Sequence, residues 1–275
     1  MTTGLGAARQ PPALHQGWTF ATTDSLRSFV PIYVGLIVAS EAMNAAAGAV
    51  AGGVCHGVVL LALFNHYLVA APRLAGTVVR GVVRVLPALA LVPLMRLMTL
   101  ALALDEPKVY AYAAVGAPLL LAAMLAIHRL GLTDVLPSRL GRVPRSQARF
   151  ALAGLPLGLV GFALLQPDQL AGGTWGVIAG SVVAFALGGV LVELVFRGVV
   201  QRTLADVFPS AGFIWSSMLY AGAQLGEGPW GYVAFLAAIG LLFGWWVQRT
   251  GSIVGVALAH GFLAVSLVVV WPFIL

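Results

Sequence analysis

Apolar residues fill this chain in long runs, and short polar stretches interrupt them. A helix that crosses a bilayer needs roughly 20 mostly apolar residues. Nine runs approach that length: Ser28–Ala47, Ala49–Ala71, Val85–Leu104, Val109–Leu130, Phe150–Gln166, Thr174–Val200, Ser210–Leu225, Gly231–Val247 and Ser252–Leu275. Only a Gly/Ala-rich stretch divides the first two. The expected fold class is therefore all-α, a polytopic transmembrane helical bundle of eight or nine spans.

The punctuation between runs suggests the organisation. Residues 1–27 form a polar N-terminal tail with no apolar core of the kind a cleavable signal peptide carries. Residues 28–130 hold the N-terminal membrane helices, 131–149 a basic, Pro-containing cytoplasmic loop, and 150–275 a C-terminal membrane bundle. Small residues recur at four-residue spacing in Gly48/Gly52, Gly53/Gly57, Gly154/Gly158 and Gly240/Gly244. Such pairs let membrane helices approach closely, so they are read as packing positions.

Composition changes the picture by what it excludes. Of 275 residues, 60% are hydrophobic and 9% are charged, against about a quarter charged in a soluble domain. Mean hydropathy is +0.98. A chain with so little polar surface is not a soluble enzyme, a nucleic-acid-binding domain or a disordered protein. The net charge of +6 thus bears on topology, with the lipid bilayer rather than nucleic acid as partner. One cysteine, Cys55, allows no internal disulfide. Arginine outnumbers lysine fourteen to one, a bias typical of GC-rich bacterial coding.

Sorting the charges gives an orientation. With nine spans, Arg9, Arg27, Arg73, Arg80, Arg84, Arg129, Arg139, Arg142, Arg145, Arg149, Arg197, Arg202 and Arg249 fall on one side. Lys108 falls on the other, with Asp105, Glu106, Asp168 and Glu227, and Arg96 lies inside the third span. Positive charge collects on the cytoplasmic side, which places the N-terminus inside and the protein in a bacterial cytoplasmic membrane.

Ionisable groups at membrane depth cost about 2.5–3.5 kcal/mol each on insertion scales, so they are default functional candidates. They are Glu41, His56, His66, Arg96, Glu193, Arg197 and His260. Glu41 and Asn44 are one turn apart, and Arg96 is a candidate ion partner for Glu41. His56 and His66 stand ten residues apart, too far along one helix to share a metal, and are expected to satisfy other polar partners. Glu193 and Arg197 are at i, i+4 and can neutralise each other along one helix face.

The stretch Val192–Glu193–Leu194–Val195–Phe196–Arg197–Gly198 is followed by Ser216–Ser217, Tyr220 and Gln224, then by Arg249–Thr250–Gly251–Ser252 and His260. In order and spacing, residues 131–275 resemble the CPBP family of intramembrane proteins, which includes CAAX prenyl endopeptidases and Abi-like proteins. The resemblance implies that Glu193, Arg197 and His260 stand at family catalytic-site positions. It also implies that three chemical positions are changed. Val192 stands where the family has its first Glu, the general base, Gln224 where it has a His, and Ala264 where it has an Asn. The expectation is a catalytically impaired member acting as an adaptor, subunit or binding module, with no cofactor and with a membrane-protein partner. The alternative is an active endopeptidase of membrane-associated or prenylated proteins, and only that alternative calls for zinc. A hairpin from Glu193 through the turn near Pro209 back to Gln224 predicts a polar cluster of Glu193, Arg197, Gln224 and His260.

Overall fold

The computed structural model describes residues 23–70, 80–101, 108–132, 144–166, 175–226 and 228–275. The N-terminal tail through residue 22 and most of the basic loop lie outside them. The described residues are almost all helical, with no strand among them. The N-terminal part comprises α1 (Thr23–Ala47), α2 (Ala49–Ala70), α3 (Arg80–Ala101) and α4 (Lys108–Leu130). The rest comprises α5 (Arg145–Leu152), α6 (Gly154–Leu165), α7 (Trp175–Glu193), α8 (Gln201–Val207), α9 (Gly212–Gly222), α10 (Trp230–Thr250), α11 (Val254–Val265) and α12 (Trp271–Ile274). Two π-helical stretches, Leu194–Val200 and Ser266–Val270, bridge α7 to α8 and α11 to α12. Within the described residues, each apolar run of the sequence is largely helical. Among the described residues, six stretches are long and apolar enough by themselves to cross a membrane: 27–47, 49–70, 145–165, 178–207, 230–250 and 254–274.

The first two runs are separate helices because of one residue. Gly48 has φ +88°, a left-handed conformation that side chains with a Cβ rarely adopt, and there the chain reverses. α1 and α2 then run antiparallel, with Tyr33 Oη 3.1 Å from His66 Nδ1 at one level. Gly52 lies against Asn44, leaving no room there for a Cβ. α5 begins at Arg145, inside the stretch expected to be loop. Pro144 precedes its first turn, and Gln147 and Ala151 are buried, so packing draws these residues into helix.

Lipid is as apolar as leucine, so membrane helices associate through close packing and polar contacts. The glycine pairs show this. A Cβ on Gly154 would strike the Ala259 carbonyl, and one on Gly158 would strike Ser266 Oγ, so α6 lies tightly on α11. α7 crosses α11 where Gly189 meets Gly261, with a Cβ on Gly189 falling 2.6 Å from Gly261 N. α11 is thus enclosed by α5, α6 and α7. Gly53 and Gly57 instead face open space. On the same helix Val50, Val54, Val58 and Leu61 are exposed, as a lipid-facing surface requires.

The N-terminal helices pack directly on the later ones. α1 lies on α9, with Val38 against Gly222 and Ala45 against Gly226, and α3 lies on α8 and the first π stretch. One buried cluster ties α1, α2 and α3 together. Glu41 accepts hydrogen bonds from Arg96 Nε and, at 3.0 Å, from Arg96 Nη2. His56 Nε2 stands 3.0 Å from the same carboxylate. Glu41 and His56 have no exposed surface.

This packing predicts unequal costs for equal changes. Gly158→Val should lower unfolding free energy by about 1–3 kcal/mol through overpacking, as followed by unfolding in nanodiscs. Gly57→Ala, in open space, should leave it essentially unchanged.

Candidate functional site

The C-terminal site begins in the winding of one helix. From Leu194 to Val200 the backbone is π-helical, so Gln201 N–H bonds the Phe196 carbonyl five residues back. π segments are rare and often mark functional sites. The wider turn keeps Glu193, Arg197 and Gln201 pointing into the bundle. All seven residues of the π stretch are buried. Ser216 Oγ, from α9, donates to the same Phe196 carbonyl at 2.7 Å, so the altered turn is fastened by the helix opposite.

Glu193 and Arg197 have no exposed surface. Glu193 Oε1 lies 2.7 Å from His260 Nδ1 of α11, and Oε2 lies 3.4 Å from Arg197 Nε. The first contact is a hydrogen bond, whereas the second is an ionic contact without hydrogen-bond direction. Arg197 Nη2 donates to the Gly240 carbonyl at 3.0 Å, and its guanidinium stands 4.7 Å from the centre of the Tyr220 ring. That ring also meets His260 edge-on at 5.9 Å. One helical turn along, Gln201 Nε2 donates to the Gly244 carbonyl at 2.9 Å. Gly240 and Gly244 therefore do more than allow close packing. Without side chains, they leave two carbonyls of α10 open to Arg197 and Gln201.

The structure thus brings Glu193, Arg197 and His260 together. α9 ends at Gly222, so Gln224 falls in the turn beyond it, and no hydrogen bond or ion pair joins its side chain to the three. Tyr220, one turn earlier, is the α9 residue whose ring meets both Arg197 and His260. Val192 is half-buried and packed against the apolar core, and Ala264 is half-buried one turn beyond His260. Glu41 does not fill the gap, since its carboxylate is held by Arg96 and His56.

The third landmark is a turn. Gly251, at φ +69°, ends α10, and its carbonyl accepts a 2.7 Å hydrogen bond from Arg202 Nη2. Ser252 Oγ accepts the Val254 N–H at the start of α11. Gln147 Oε1 accepts the next N–H, that of Gly255, at 2.9 Å. Gln147 is a contact the sequence did not signal, because a lone glutamine in a basic loop carries no pattern.

A catalytic zinc takes three protein ligands and keeps a fourth position open. Here the donors are His260 and Glu193, the latter already paired with Arg197, and no group of three His, Cys, Asp or Glu occurs among the described residues. These residues do not fit zinc. His260, with a side chain 12% exposed, is the one member of the cluster with accessible surface. A cavity of about 300 Å³ opens elsewhere, between α1 and the α9–α10 turn, lined by Ala42, Ala45, Leu225, Gly226, Trp230 and Val233. None of the three clustered residues lines it.

Removing one charge from a buried pair leaves the other uncompensated, at a cost of about 3–5 kcal/mol. Glu193→Gln should lower unfolding free energy by that order, as measured in nanodiscs. Ser210→Ala, at an exposed turn, should change it little.

Residues 174–266 match the family model described as type II CAAX prenyl endopeptidase Rce1-like. No curated protein and no solved structure matches the chain. The matched residues run from the start of α7 into the second π stretch, and so contain Glu193, Arg197, Gln224 and His260. With its apolar helices the chain is a multi-pass membrane protein, and its residues 174–266 are similar to the type II CAAX prenyl endopeptidases of the Rce1-like family.

Proposed function

We propose that this protein is a catalytically impaired relative of CPBP intramembrane proteases that works as an adaptor, subunit or binding module in a bacterial cytoplasmic membrane, with its N-terminus in the cytoplasm. The observation that carries this reading is the engagement of Glu193. Its carboxylate is shared between His260 and Arg197, and Arg197 is held in turn by Gly240 and Tyr220. The carboxylate holds the two helices together and has no water-accessible surface from which to take a proton. Val192, Gln224 and Ala264 supply no second acid, base or imidazole beside it. Loss of a positioned general base removes about 10²–10⁴-fold of rate, before any lost ligand is counted.

The orientation rests on where the arginines lie. Arg145, Arg149, Arg202 and Arg249 gather at the end of the bundle where α5, α8 and α10 meet the start of α11. By the positive-inside rule that end is cytoplasmic.

One observation favours a second reading, an active endopeptidase of membrane-associated or prenylated proteins. The bond from His260 Nδ1 to Glu193 leaves Nε2 as the free nitrogen of a carboxylate-held imidazole. Such a nitrogen is a competent general base wherever substrate and water reach it.

A cleavage assay separates the two. The full chain, reconstituted in liposomes, is given a farnesylated peptide ending in the CAAX sequence, beside His260→Ala and Glu193→Ala variants. The proposal predicts no cleavage above that of the two variants. Cleavage that either substitution abolishes contradicts it.

A further inference from the structure

The cytoplasmic end carries a group of charges that neither the buried cluster nor the Rce1-like segment explains. α5 is amphipathic. Gln147 and Ala151 are buried, whereas Arg145, Ser146, Ala148 and Arg149 are exposed. Its buried face is fixed firmly: Gln147 Oε1 accepts from both Trp246 Nε1, at 3.3 Å, and Gly255 N, at 2.9 Å. Phe150 stacks on Trp246 with ring centres 4.3 Å apart. These contacts set α5 against the last turns of α10, where Arg249 is exposed with its guanidinium 5.6 Å from the Trp245 ring centre.

Two features define what this surface suits. The first is charge. Arg145 and Arg149 are like charges at i, i+4, which repel unless an anion lies between or above them. Of the carboxylates whose side chains are described, Glu41 and Glu193 are buried, and only Asp206 is exposed. Asp206 interacts with Arg84, on α3, and not with these arginines. The second feature is depth. Exposed apolar side chains lie within one turn of the arginines: Leu152 beside Arg149, and Trp245 beside Arg249. The guanidinium groups therefore stand where lipid-facing surface gives way to polar surface, the level of lipid headgroups.

We propose that Arg145, Arg149 and Arg249, with Trp245, form a docking surface for anionic phospholipid headgroups in the inner leaflet. The shared chemistry is a phosphate diester, and the depth of the site assigns it to lipid rather than to a free anion. Planar guanidinium groups suit phosphate oxygens, and Trp245 supplies the amphipathic ring found at bilayer interfaces. Because Gln147 bonds the first turn of α11, the helix that binds headgroups is braced on the helix that carries His260.

The test uses the full chain in nanodiscs made from equal parts phosphatidylglycerol and phosphatidylcholine. Native mass spectrometry then counts the lipids that remain bound on release. Wild type should retain phosphatidylglycerol over phosphatidylcholine. Each arginine near the surface contributes about fivefold in affinity, so R145Q/R149Q/R249Q should reduce this preference at least about tenfold. R145K/R149K/R249K should retain most of it. A thermal unfolding scan in pure phosphatidylcholine shows whether the glutamine variant folds. In wild type alone, raising salt from about 50 to about 500 mM should weaken the preference, because these groups are exposed. Two results overturn the proposal: an unchanged preference in a folded glutamine variant, or competition for the site by millimolar inorganic phosphate as effective as that by phosphatidylglycerol.

Discussion

A carboxylate removed from water must find its countercharge within the protein, and in this bundle Glu193 finds it twice. Arg197, one turn along the same helix, supplies the formal charge, and His260 supplies a directed hydrogen bond from another helix. Arg197 has more donors than Glu193 can satisfy, and it turns to the backbone carbonyl of Gly240, where a Cβ would press on Tyr220 and Ser217. The requirement to leave no bare charge in lipid thus links α7, α9, α10 and α11. The π-helical turn, the serine that fastens it and the glycines of α10 all serve that arrangement.

The N-terminal helices repeat the same chemistry in a different setting. Glu41, Arg96 and His56 bring carboxylate, guanidinium and imidazole from three helices to one buried point. This cluster lies outside the Rce1-like segment, yet it bears on that segment. It ties α1 to α2 and α3, while the neighbouring positions Val38 and Ala45 fill the space beside Gly222 and Gly226 of the segment itself. Two polar knots therefore hold an otherwise apolar bundle in register. Each uses an imidazole as the third partner of an ion pair, a role that needs no reaction.

Much of this was legible in the sequence because lipid imposes simple rules. The apolar runs became helices, and the ionisable residues Glu41, Arg96, Glu193, Arg197 and His260 paired inside the bundle, since an unpaired charge there has no stable alternative. Gly154 and Gly158 revealed their role through spacing alone. Two kinds of information stayed hidden. The place of Tyr220 against Arg197 and His260 was hidden because neither a π turn nor an early helix end leaves a clear local signature. Gln147, which caps α11, was invisible because a single polar side chain has no period, and its partners Trp246 and Gly255 lie about a hundred residues away.

The central claim is that Glu193 and Arg197 act as one structural unit, each present because of the other. A double-mutant cycle with Glu193→Gln, Arg197→Met and their combination, read as unfolding free energy in nanodiscs, tests this most directly. Each single change strands a buried partner, whereas the double change removes both charges. The double variant should therefore be clearly more stable than the sum of the single losses predicts, with a coupling of about 2–3 kcal/mol. Additive losses would show that the two residues act independently and would contradict the account.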